Sequence, residues 1–217
     1  MISELKEQFN IKPYDYPLDI FEICERILNV DILAVPFKTP DLRGMVSIAR
    51  NDEDKHIILV NSNKSREEQN FHGFHELIHI PTADKPGTTL NCFDKVKPNQ
   101  DSYLEWLANE GAAEMAVPYK ILLPMIKSEI HEMLIGNGTW AFCEKHASDF
   151  GVSPIVLQNR IDSLKYEIQQ YLNGVPLDQL EILSIHKQKK RGIVVKSLVD
   201  LENERMIQMW NSERAVV

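Results

Sequence analysis

The sequence predicts an α+β fold, with a small sheet in its N-terminal part, a helical layer over that sheet and a single hydrophobic core. Three observations carry this. The run His56–Asn61 (HIILVN) is short, β-branched and apolar, and the polar turn Asn61-Ser62-Asn63-Lys64 ends it, which is a strand signal. Two helical patterns follow, each with a start signal and a proline stop. At 217 residues and 43% hydrophobic content, the chain can bury one good core with a small appendage.

The first helical pattern starts at about Ser65. Ser65-Arg66-Glu67-Glu68 fits a capping box, in which the serine oxygen accepts a free backbone N–H and Glu68 reaches back. Pro81 is expected to stop the helix just after His79. Phe71, Phe74 and Ile78 recur at three- and four-residue spacing and predict a buried face. Within this helix, His75-Glu76-Leu77-Ile78-His79 reads H-E-x-x-H. Residues four apart on a helix lie roughly 40° apart around the axis and about 6 Å along it, so both imidazoles can reach one ion. Glu76 falls on the neighbouring flank, where a carboxylate serves as general base without ligating the metal. His72 shares the face of His75 and suits a supporting or substrate-facing place better than a ligand's. Taken alone, the pattern also fits an amphipathic surface helix with solvated histidines.

A catalytic zinc takes three protein ligands and keeps one open position, so a further donor is needed on a nearby element. The second helical pattern, Asp101 to Val117, offers Glu105; Asp101 suits an N-cap and Pro118 a stop. Ala108 and Ala112 line the face that Glu105 shares with Asn109, and small side chains let two helices approach closely. Asn109 could accept the outer ring N–H of a ligating histidine and fix its tautomer. Glu110 and Glu114 lie on other faces. His72, Tyr103 and Tyr119 are candidates to assist the oxyanion or hold substrate, and the sequence does not rank them.

The combination resembles the ImmA/IrrE family of zinc metallopeptidases, whose pattern is a helix with H-E-x-x-H followed by a helix with E-x-x-A-N/D-x-F-A and a terminal proline. Here these are His75 to His79 and Glu105 to Pro118. The approach is similar too, with a helix over Leu18 to Leu28, a strand over Asp31 to Pro36, a strand start at Gly44-Met45 and the Ile57 to Asn63 strand and turn. The likeness covers roughly residues 15 to 165. It implies a zincin-like core, one Zn2+ per chain on His75, His79 and Glu105, Glu76 as catalytic base and Asn109 as outer support. It also implies narrow-specificity cleavage of a helix-turn-helix repressor, which releases phage, mobile-element or stress genes. Two positions depart from the pattern: Ile78 where the family often has glycine, and Gly111 where it usually has phenylalanine. Both bear on how the two helices pack.

The remaining expectations concern the frame. We divide the chain into a zincin-like domain at 1–135, a helical, helix-turn-helix-like subdomain at 136–174 and a C-terminal extension at 175–217. Ser153 and Pro154 should start a helix over Ile155 to Tyr171. That helix offers only Arg160 and Lys165 as bases, and the formal charge is −8, so no direct contact with nucleic acid is expected. Lys187–Arg191 reads as a solvated turn, while Ile193–Val195 and Met206-Ile207 suggest short C-terminal strands. Cys24 and Cys143 suit core positions; Cys92, in the loop between the two helices, could approach the site, though it reads better as an incidental loop thiol. With no long apolar run and no secretory start, a cytoplasmic protein without membrane contact is expected. The Ile57 to Val60 strand could be an edge that pairs with substrate, or a buried strand. The alternative to a peptidase is a non-enzymatic regulator of the same fold that binds a repressor or another protein.

Overall fold

The computed structural model describes residues 2–27, 29–93, 95, 97–98, 100–134 and 138–214. They form two compact units, one of residues 1–118 with 147–153 and the other of 119–146 with 154–217. The expected boundary at 135/136 and Leu28, the expected end of the first helix, lie outside the described residues.

The first unit is α+β. Its helices are α1 (Ile2–Gln8), α2 (Ile20–Glu25), α3 (Arg66–Thr82) and α4 (Ser102–Ala116), and its strands are β1 (Val30–Val35), β2 (Leu42–Ser47), β3 (His56–Asn61) and β4 (Thr89–Phe93). The sheet order is β1-β3-β2-β4. β1 runs parallel to β3, with Val30 opposite His56, whereas β2 is antiparallel to both β3 and β4. β3 is therefore an interior strand, which settles the alternative left open by the sequence: the free edges belong to β1 and β4. Ile58 and Val60 are wholly buried on its core side.

α3 begins as its sequence predicts. Ser65 Oγ accepts from the Glu68 N–H, and Glu68 Oε2 accepts from the Ser65 N–H, both at 3.3 Å. The helix continues to Thr82, one residue past Pro81, so the proline sits in the final turn instead of ending it. A proline there forfeits only one hydrogen bond, and the Thr82 hydroxyl donates to the Ile78 and His79 carbonyls. Buried Asn70 anchors the helix, accepting from Ile20 N–H at 2.7 Å and donating to Leu18 O at 2.8 Å. One side of α3 packs on β2, β3 and β4, and another packs on α4.

Close approach of α3 to α4 depends on the two positions that depart from the family pattern. A Cβ at Gly111 would lie 2.9 Å from both Ile78 Cγ1 and Cγ2. The bulk of Ile78, with Ile2 Cδ1 at 3.0 Å, thus occupies the space that a side chain at 111 would need.

The second unit is helical: α5 (Tyr119–Met133), α6 (Thr139–His146), α7 (Pro154–Ser163), α8 (Lys165–Leu172), α9 (Ile185–Lys190) and α10 (Leu198–Arg214). Three expectations need correction here. The helix expected over Ile155 to Tyr171 is broken at Leu164, where Ser163 Oγ bonds back to the Arg160 carbonyl and the Leu164 N–H is shared between the carbonyls of Arg160 and Ile161. The basic run is helical through Lys190, with Arg191 as its C-cap, because Ser184 caps the helix and Gln188 is buried, donating to Leu183 O at 2.7 Å. No strand occurs among the described residues of 175–214. Val194 is 83% exposed without a β partner, and Met206 and Ile207 lie within α10, so short apolar clusters there reflected composition and not pairing.

Candidate metal centre

Three donors converge between α3 and α4. His75 and His79 lie one turn apart on α3, with their Nε2 atoms 3.1 Å apart. Glu105, in the first turn of α4, brings Oε2 to 3.3 Å from His75 Nε2 and Oε1 to 3.6 Å from His79 Nε2. All three side chains are buried. The N-cap at Asp101, which accepts from the Tyr103 and Leu104 N–H groups, sets where α4 begins and hence where Glu105 points. Asn109, one turn further along, places Oδ1 at 3.0 Å from His75 Nδ1. With the amide oxygen as acceptor, that ring nitrogen is the donor, and Nε2 faces Glu105 and His79.

This donor set fits a divalent ion. Two ligand atoms at zinc-ligand distance in a tetrahedron stand roughly 3.3–3.4 Å apart, the spacing seen among these three groups. Without a cation, a carboxylate oxygen would face an imidazole lone pair in a buried space, an arrangement that is repulsive. Burial, reinforced by neighbouring His75 and opposed by Glu105, brings the His79 pKa down to about 4, so its ring is neutral as a ligand requires.

Glu76 is the most unusual side chain of the unit. It is wholly buried, and neither carboxylate oxygen has a hydrogen-bond partner among the described residues. Burial first, then the charge of Glu105, push its pKa well above the ordinary 4.5. Room for it comes from Gly44 on β2, where a Cβ would lie 2.7 Å from Glu76 Oε1. Glycine at 44 is a space requirement for the carboxylate.

Other expected site residues are spread more widely. His72 lies one turn before Glu76, with Nδ1 3.7 Å from Cys92 Sγ. Tyr103 is 63% exposed, its ring against Trp106, so it does not join the buried cluster. Tyr119 opens α5 in the second unit.

Sequence reasoning missed two contributors and gave a third, Cys92, too little weight. Gln100 Nε2 donates to Glu105 Oε1 at 2.9 Å and to Asn91 O on β4 at 2.6 Å, while its Oε1 accepts from Lys97 N–H at 2.7 Å, so the Glu105 carboxylate is tied to the sheet edge. The only signal for it was its place just before the α4 cap. Gly44 was visible as a strand start but not as a cradle. Cys92, expected in a loop, lies in β4 directly opposite Gly44, and its thiol, the Glu76 carboxylate and His75 form a second set of possible ligands within 4.8 Å of one another. A strand of five residues between two helices gave too weak an alternation to be read.

A comparison with curated proteins finds no match. A family model does match: that of the IrrE N-terminal-like domain, Peptidase_M78, over residues 25–162, a span that includes β1 to β4, α3 and α4. The match covers well over half of the 217 residues and bears out the resemblance drawn from the two helical motifs, together with the α+β fold and a metallopeptidase type of function. The chain belongs to the IrrE N-terminal-like domain family of peptidases.

Proposed function

We propose that this protein is a zinc-dependent endopeptidase of narrow specificity whose substrate is a helix-turn-helix transcriptional repressor. The observation that carries the reading is the convergence of His75, His79 and Glu105 on one point with the carboxylate of Glu76 beside it. A divalent ion held by the first three would supply Lewis-acid activation of water and charge stabilisation at the scissile carbonyl oxygen. Glu76 would take a proton from the attacking water and pass it to the departing amine, serving as base and then as acid. It would need the positive charge of the loaded centre to ionise, since burial and Glu105 otherwise favour its protonated form. Asn109 would hold His75 in the tautomer that presents Nε2, and Gln100 would hold Glu105.

The free edge of β4 offers an extended substrate backbone a place to pair beside the centre. Pairing at Asn91 would displace the Gln100 amide from its carbonyl. The repressor assignment rests on the family's pattern, and a cytoplasmic location accords with it; no described helix is long and apolar enough to cross a membrane.

The test has two parts. Elemental mass spectrometry on protein purified without chelators should find about one zinc per chain, and a clear loss in folded Glu105→Ala. The purified protein, incubated with the product of a repressor gene encoded beside its own, should yield one defined cut, absent with Glu76→Gln. Binding of that repressor with no cut would instead favour the non-enzymatic regulator.

A further inference from the structure

Helix α3 carries His75, Glu76 and His72 within little more than one turn, and they do not all face α4. The thiol of Cys92, one carboxylate oxygen of Glu76 and one ring nitrogen of His75 lie within 4.8 Å of one another, on the β4 side of the helix. Cys92 and Gly44 are opposite each other across β2 and β4, so the glycine that makes room for Glu76 also lets it approach the sulfur. The carboxylate is wholly buried and has no hydrogen-bond partner among the described residues. Two independent features, a buried thiol and an unsatisfied buried carboxylate, thus share one space with an imidazole.

We infer that His75, Glu76 and Cys92 form a second metal station, alternative to the His75–His79–Glu105 centre and selective for soft cations of the Cd2+ type. The stations share His75, so one ion occupies one or the other. Ligand softness decides between them: a thiolate favours soft ions, and the imidazole and carboxylate set favours Co2+ or Mn2+. Entry of the ion breaks the Cys92 S–H bond and forms a sulfur–metal bond. The proton passes to His72 Nδ1, 3.7 Å from the sulfur, or to water, with no change of oxidation state. His72 is half-buried, whereas Cys92 is buried. An ion held there takes the Glu76 carboxylate as a ligand and so switches the peptidase off. This consequence rests on the proposed role of Glu76; the station itself does not.

The test compares Co2+ with Cd2+ on the full chain. With Cd2+, wild type should bind one equivalent with thiolate-to-metal charge-transfer absorption and a Cd–S shell in X-ray absorption; the latter needs no variant to fold. Cys92→Ser should weaken Cd2+ by about tenfold or more and leave Co2+ unchanged, whereas Glu105→Gln should weaken Co2+ and spare Cd2+. Cadmium bound without sulfur, or weakened as much by Glu105→Gln as by Cys92→Ser, would overturn the inference. A cadmium–sulfur site in a protein that takes up no Co2+ or Zn2+ would uphold it while removing the peptidase reading.

Discussion

The substitution Glu76→Gln tests the electrostatics of the centre without any substrate. In metal-free protein the Glu76 carboxyl is raised well above 4.5 by burial and then by Glu105. From pH 4.5 up to its folded pKa, the native state therefore holds a proton that the unfolded chain has released. Stability falls with rising pH by about 1.4 kcal/mol per unit on this account. His79 acts in the opposite sense. Its pKa is brought down from 6.5 to about 4, so between those values the unfolded chain binds the extra proton and stability rises with pH at the same rate. In wild type the two contributions oppose each other above pH 4.5, wherever both groups titrate. Removing Glu76's titration leaves the His79 slope exposed. The buried Gln amide adds a pH-independent cost of about 1–3 kcal/mol for donors without partners, which shifts the curve but not its slope. All other titrations cancel in the difference. Urea unfolding of chelated wild type and variant should give a stability difference that moves in favour of Gln by about 1.4 kcal/mol per pH unit from pH 4.5 upward until Glu76 ionises. Parallel profiles would refute the placement of an unsatisfied, neutral carboxyl at this position.

The remaining predictions concern the groups around the donors. Asn109→Ala should lower metal affinity by about 10–100-fold by releasing the His75 tautomer, and Gln100→Ala should act in the same direction through Glu105, both read by competition with a chromophoric chelator. Gly44→Ala places a Cβ 2.7 Å from Glu76 Oε1; kcat should drop by roughly 100-fold while metal content stays unchanged, since the base moves and the ligands do not. Gly111→Ala should cost about 1–3 kcal/mol in urea unfolding. Combined with Ile78→Ala, which removes the two closest of the three atoms it would crowd, it should cost less than the sum of the two single changes.

What was legible in the sequence was local. The capping box at Ser65, the Asp101 cap, the four-residue spacing of His75 and His79 and that of Glu105 and Asn109 are all properties of single helices, and each lies where its spacing required. Approach between elements was not legible. Cys92 looked incidental because its significance comes from the β2–β4 register that sets it opposite Gly44, a pairing between residues 48 positions apart. Gln100 acts through three partners in two elements and the preceding loop, none of which helix periodicity encodes. The C-terminal strands failed for a related reason: apolar residues make a strand only when a neighbouring strand exists to pair with them, and Val194 has none.

Ile78 and Gly111 show how the geometry of such a site depends on the volume at one helix contact. The constraint on the donor set is the spacing between α3 and α4, because Glu105 must come within 3.3–3.6 Å of two imidazoles. That spacing depends on the summed volume at the contact and not on which helix supplies it. A large residue at 78 with none at 111 can fill the space as well as the reverse. The wholly buried Ala108 and Ala112 keep the rest of the α4 face small, so the exchange is confined to one layer. On this argument the two departures belong together: reverting Ile78 alone to glycine would open a cavity beside His79, whereas restoring both family residues would return the helices to one spacing and the metal affinity to that of the present chain.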